Sequence, residues 1–331
     1  ISCYKIAINI SSKNAAYYSN LGSSYYALEQ YEEAIYYLQK ASDLNPDSEG
    51  VKYNLANSYR AIGKYKKAIL FYKSTKIPMA KAQEFECLYL SKRYQEMQEG
   101  IKTLAEKDQT DIRTAAISAF AADQLGIADP YPFCKDPLDF ILTDNLFDYN
   151  SIPDDFLLEL IEESENHQLF WQDRTTKFGF QTHGNIFIET TPCIARLEKI
   201  IRQSLDGYFQ TFKNGGCDLI DSWPEDFILF GWYNRLGKNG YQTTHIHPSG
   251  WVSGCIYLQT VDALNKQEGG IELTLQTYDL PIISGQTQNI VHVPKDGDIV
   301  IFPSSLPHRT LPFSVDRNRC VIAFDLMPVK R

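Results

Sequence analysis

Displacing the chain by 34 residues lays Asn20 on Asn54, Leu21 on Leu55, Tyr25 on Tyr59, Tyr31 on Tyr65, Ala34 on Ala68 and Ile35 on Ile69. A period of this length holds one pair of helices, too small to bury its own apolar face, so successive copies must stack on one another. Small residues at Gly22/Ala56 and Ala34/Ala68 let the two helices of a pair approach closely, Tyr25 and Leu38 fill the space between them, and Pro46 stops the second helix. A third, shortened pair is predicted across Lys81 to Leu90 and Tyr94 to Ala105. One period upstream, Ala7 matches Ala41 and Ile10 matches Leu44, so the chain is expected to begin inside the second helix of an earlier copy, as a piece of a longer protein with further repeats before it.

The stretch "NLGSSYYALEQYEEAIYYLQKASDLNP" resembles the tetratricopeptide repeat (TPR) family. The resemblance implies a superhelical stack whose concave face takes a protein or peptide partner; a purely structural stack is the plainer alternative. Tyrosines at 17, 18, 25, 26, 36 and 37 are too many for the core alone.

A length of 331 residues suits two domains. "TDIRTAAISAFAADQLG" still reads as a helix stopped by Gly126, and the proline-rich "IADPYPFCKDPLDF" then reads as a linker or an extended arm, which sets the expected boundary at 127/128. From about Phe227 onward short β-type runs ("FILFGWYN", "GWVSGCIYLQ", "GIELTLQ", "GDIVIFP", "CVIAFDL") are separated by glycine-rich turns, the pattern of a sandwich or barrel. "DDFLLELIEESEN" and "PCIARLEKIIRQSLDGYFQTF" are helix-like and expected to flank a sheet.

A net charge of −9 argues against binding a nucleic-acid backbone, which needs clustered cations, and no apolar run reaches membrane-spanning length. The seven cysteines are scattered without a C-x-x-C pair and read as reduced thiols, for which a cytoplasmic location is expected.

The chain has only six histidines, yet "YQTTHIHPSGW" places two of them one residue apart. In a strand, residues i and i+2 share a face, so His245 and His247 project together while Ile246 points away. Paired neutral imidazoles make a poor core and a good pair of metal ligands; His308, after "DGDIVIFPSSLP", is the natural third member of a facial set. Arg319 opens the next strand.

With that order in view, "GFQTHGNIF", "HIHPSGWVSGCIYL" and "VPKDGDIVIFPSSLPHRTLPF" followed by "RNRCVIAFDL" resemble the iron(II)/2-oxoglutarate oxygenases, with a looser similarity to prolyl hydroxylases. The resemblance covers roughly residues 128–331 and implies a double-stranded β-helix, a jelly-roll or cupin-like domain, behind an all-α repeat domain at 1–127. It implies that His245 and His308 bind Fe(II), that Arg319 pairs with the distal carboxylate of 2-oxoglutarate with help from Tyr257, that Tyr233 lines the cofactor pocket, and that O2 is the co-substrate. His247 departs from the pattern, because the wider superfamily has Asp or Glu there. A three-His site, with His247 as third metal ligand, and a two-His site completed by water both stay open. Two other functional readings also stay open: a TPR interaction protein with a non-catalytic metal-binding β domain, and a cupin-like three-His dioxygenase that ignores 2-oxoglutarate. Trp232 and Trp251 flank the expected site.

Overall fold

In the computed structural model the chain is described throughout except at residues 149–151, 154, 173–174, 189–190, 262–266, 278–279 and 330–331. It divides into two compact units, Ile1–Thr103 and Leu104–Arg331.

The first unit is a run of antiparallel helices: α1 (Ser2–Ile10), α2 (Ala15–Ala27), α3 (Tyr31–Leu44), α4 (Glu49–Ala61), α5 (Tyr65–Lys73), α6 (Ala80–Leu90) and α7 (Tyr94–Ala105), the last of which runs into the second unit. Their starts follow local chemistry: the Asn14 side chain accepts from the Ala16 N–H, and Ser48 Oγ accepts from the Val51 N–H. The helix starting at Ala80 and the helix Tyr94–Ala105 match the predicted third pair to within a residue.

Close packing rests on the small residues picked out by the period. Ala34, Ala56 and Ala68 are fully buried, and a Cβ added at Gly22 would lie 2.6 Å from Leu38 Cγ. Successive pairs are tied by Asn54 Nδ2 donating to Ser23 Oγ and by the Arg60–Glu86 ion pair. Gly22→Val should therefore overpack the α2–α3 seam and destabilise this unit by about 1–3 kcal/mol, read as a lowered midpoint in denaturant; an unchanged midpoint would show that the seam can open at no cost.

The second unit begins with α8 (Ile112–Leu125), capped by Asp111 accepting from the Thr114 N–H and ended by Gly126 at φ 63°, the left-handed conformation that glycine adopts without penalty. The expected boundary at 127/128 differs from this division by one helix. The reason is that α8 is bonded to β-domain loops: Gln124 Oε1 accepts from the Ile283 and Ser284 N–H groups, and Gln124 Nε2 donates to the Gln286 carbonyl. The elements that follow are β1 (Leu142–Asn145), α9 (Phe156–Asn166), β2 (Leu169–Gln172), β3 (Thr176–Thr182), α10 (Pro192–Phe212), α11 (Asp218–Asp221), β4 (Phe227–His245), β5 (Val252–Gln259), β6 (Ile271–Thr274), β7 (Asn289–His292), β8 (Asp298–Pro303), β9 (His308–Thr310) and β10 (Arg319–Pro328).

The strands form one curled antiparallel sheet in the order β1-β8-β5-β10-β4-β9-β6-β7, with the β2–β3 hairpin attached to β4. Curling depends on β4, which pairs with β10 from Phe227 to Leu236 and with β9 at Gln242 and His245. Between these stretches lie Gly237, Asn239 (φ 63°) and Gly240, whose added Cβ would sit 2.6 Å from the Gly237 carbonyl oxygen, so the chain bends where glycine permits it. The architecture is thus a helical repeat followed by a curled antiparallel β domain with flanking helices. No helix among the described residues is long and apolar enough to cross a membrane.

Candidate metal and co-substrate site

Bending β4 over β9 makes His245 and His308 direct cross-strand partners. His247 lies just past the end of β4, where its N–H donates to the Ser304 carbonyl and its own carbonyl accepts from Gly250 in a tight turn. It still shares a face with His245. The ring centroids are 4.4 Å apart for His245–His308, 4.9 Å for His247–His308 and 5.2 Å for His245–His247.

The hydrogen bonds settle which nitrogen each ring presents. His245 Nδ1 lies 2.7 Å from the Thr243 carbonyl oxygen, His308 Nδ1 3.1 Å from that of Leu306, and His247 Nδ1 2.7 Å from Asp325 Oδ1. Carbonyl and carboxylate oxygens only accept, so each Nδ1 carries its hydrogen and a ring in its neutral form keeps a bare Nε2. Burial, reinforced by the neighbouring imidazoles, lowers the pKa of His245 to about 4 and holds that of His308 well below its ordinary value, so both are uncharged at neutral pH. The ligand atoms of the three histidines lie within 4.8 Å of one another. Three imidazoles so gathered are a donor set that fits Fe(II) and other first-row transition ions. Phe302 packs on His308 at 4.6 Å and Trp232 on His247 at 5.3 Å, which limits ring rotation.

The cavity that the histidines line is also lined by Tyr257 and Arg319. Arg319 is 3% exposed, its Nε donates to the Gly269 carbonyl at 2.9 Å and its guanidinium lies 4.9 Å from the Tyr257 ring centroid. Among the described residues no carboxylate pairs with it. A guanidinium out of water and without a carboxylate partner among the described residues is suited to an anionic ligand, a carboxylate being the best match to its planar fork. Burial pushes the Tyr257 hydroxyl well above its ordinary pKa, leaving it protonated and able to donate.

Tyr233 is a correction. The cavity takes Trp232 and Asn234 from β4, so alternation turns Tyr233 to the opposite face, where it is fully buried with its hydroxyl on Glu165 Oε1 and Cys320 Sγ, both at 3.1 Å. Trp251 is a core residue: it packs edge-on against Phe133 and donates from Nε1 to the Leu219 carbonyl. Sequence reasoning missed Gln242, which lines the cavity and bonds both Thr310 Oγ1 and Thr176 Oγ1, and it missed Asp325. A signal for Asp325 was present, because it stands an even number of residues from Arg319 along one strand and so shares its face.

Residues 231–325 match the family described as "Putative 2OG-Fe(II) oxygenase". Residues 12–75 match the tetratricopeptide repeat. Among solved structures, the chain is similar to a Pseudomonas putida prolyl-4-hydroxylase (16% identity, TM-score 0.40, covering 65% of this chain and 100% of that one). It is also similar to HygX from Streptomyces hygroscopicus, solved with nickel and 2-oxoglutarate (14% identity, TM-score 0.39, 57% and 83% covered). A third similar structure is YrrB, a TPR protein with an unusual peptide-binding site (16% identity, TM-score 0.33, 37% and 66% covered). No curated protein sequence matches the chain.

Proposed function

We propose that the second unit is an Fe(II)- and 2-oxoglutarate-dependent oxygenase that hydroxylates its substrate. The observation that carries this reading is the coincidence, in one cavity, of three clustered imidazoles and a buried guanidinium without a counter-charge among the described residues. In this reading His245, His247 and His308 hold Fe(II). Arg319 takes the distal carboxylate of 2-oxoglutarate and the Tyr257 hydroxyl donates to it, while the apolar wall from Phe302 and Val321 keeps water away. Bound iron, 2-oxoglutarate and O2 supply the oxidising chemistry, in which 2-oxoglutarate leaves as succinate and CO2 and one oxygen atom enters a C–H bond.

A cleft of about 390 Å³ opens onto His245 and His247 and is walled by Phe230, Trp232, Pro248 and Met327. We assign it to the approach of the substrate, which an aromatic and apolar wall would hold without competing for the metal. For the repeats we propose a protein or peptide partner, in keeping with the stacked helix pairs and the half-exposed tyrosines such as Tyr36. The described cysteines are free thiols, which suits the cytoplasm as its compartment.

Anaerobic titration of the metal-free protein tests the site. A weak visible charge-transfer band should appear only when Fe(II) and 2-oxoglutarate are both present, and in air succinate should then accumulate. Iron binding without the band would favour a dioxygenase that ignores 2-oxoglutarate, and absence of iron binding would remove the metal site altogether.

A further inference from the structure

We infer that Asp325 is a positioning residue for His247, and that it returns to the site the negative charge that a carboxylate ligand would have carried. The inference rests on the metal-site reading above. Along β10 the side chains of Arg319, Val321 and Ala323 line the cavity, and the same alternation brings Asp325 inward at the far end of the row. Its cross-strand partner is Ser253, on the face of β5 that also carries Cys255 and Tyr257.

Asp325 is 7% exposed, and its Oδ1 accepts from His247 Nδ1 and from Ser253 Oγ, both at 2.7 Å. Ser253 Oγ lies 2.7 Å from Ser304 Oγ, and Ser304 in turn accepts the His247 backbone N–H, so the network closes on the residue it orients. The turn from His247 to Gly250 comes this close only because position 250 has no side chain: a Cβ there would lie 2.5 Å from Ser304 Oγ and 3.2 Å from Asp325 Cγ. Among the described residues neither of the other two histidines has a carboxylate behind it, and their Nδ1 atoms face the backbone carbonyls of Thr243 and Leu306.

Two consequences follow from this placement. The carboxylate fixes the tautomer of His247 with Nε2 bare, which a backbone carbonyl would also do. It also adds a full negative charge, which a carbonyl does not, and so makes the imidazole a stronger donor. A histidine backed by a carboxylate approximates, in two residues, the charge of the Asp or Glu that the wider oxygenase pattern places at position 247.

The test is anaerobic calorimetric titration of the whole chain with Fe(II), and with Mn(II) as a redox-quiet probe, on the parent, Asp325→Asn, His247→Ala and the double variant. Asparagine keeps an acceptor for Nδ1 and removes the charge. Asp325→Asn is expected to weaken metal binding about 10- to 100-fold with the metal-free melting temperature near that of the parent, and to cause no further loss once His247 is alanine. Unchanged affinity in Asp325→Asn, or an equal loss with and without His247, would overturn the role of Asp325 and leave the metal site standing. A parent protein that binds neither ion would instead overturn the metal-site reading itself. Should the asparagine variant fail to fold, Asp325→Glu, which keeps the charge and displaces it by one methylene, is read by the same His247-dependence of the loss.

Discussion

Arg319→Ala should raise the 2-oxoglutarate concentration needed for half-maximal turnover by about 30-fold to a few thousand-fold, the equivalent of about 2–5 kcal/mol for removing one partner of a buried, hydrogen-bonded charge pair. The size of the effect follows from burial: at 3% exposure the guanidinium meets its ligand out of water, where the attraction is little screened and nothing replaces it when it is gone. Metal affinity should be untouched, since Arg319 contacts the Gly269 carbonyl and the Tyr257 ring and neither belongs to the histidine cluster. Stability of the ligand-free protein should change little, because the cavity left by the side chain is offset by relief of a buried charge without a carboxylate partner among the described residues. Initial rates against 2-oxoglutarate, beside a melting curve of each protein, check both points. A variant with an unaltered 2-oxoglutarate requirement would fit a three-His dioxygenase and sink the assignment of Arg319.

His308→Ala should abolish turnover and weaken Fe(II) binding by more than about 100-fold, a loss beyond that usual for residues that only support a ligand. His308 is the most enclosed of the three histidines, 6% exposed, and is the cross-strand partner of His245. Without it the remaining pair, His245 and His247, spans one edge of the cluster and cannot close a facial set. Calorimetric titration with Fe(II) measures the loss directly, and the melting temperature of the metal-free variant separates it from misfolding. If the repeats are the working part and the β domain a scaffold, the variant would lose metal and keep every partner interaction. If His308 is not a ligand, its metal affinity would equal the parent's.

The helical half was legible from the sequence because a 34-residue period repeats the same packing problem: small residues where helices touch and a proline after the second helix have one meaning wherever they recur. The predicted helix pair at Lys81 to Leu90 and Tyr94 to Ala105 coincides with α6 and α7 almost to the residue. The histidines were legible for a similar reason. An i, i+2 pair shares a face of any strand, and this holds for His245 and His247 even though the strand ends between them.

Contacts between distant residues were not legible, because they depend on where β4 bends and which strand it meets next. Alternation alone does not say which face of β4 turns inward, and it was the resemblance that placed Tyr233 in the cavity that Trp232 and Asn234 line. Nor does local pattern say that α8, a plausible last repeat helix, is bonded through Gln124 to a loop some 160 residues later. The sequence by itself determined the two architectures, the facing pair of histidines and the third one behind them. Only the tertiary structure decided that Asp325 stands behind His247, because strand pairing across a curled sheet, and not spacing along the chain, brings charges within reach of one another.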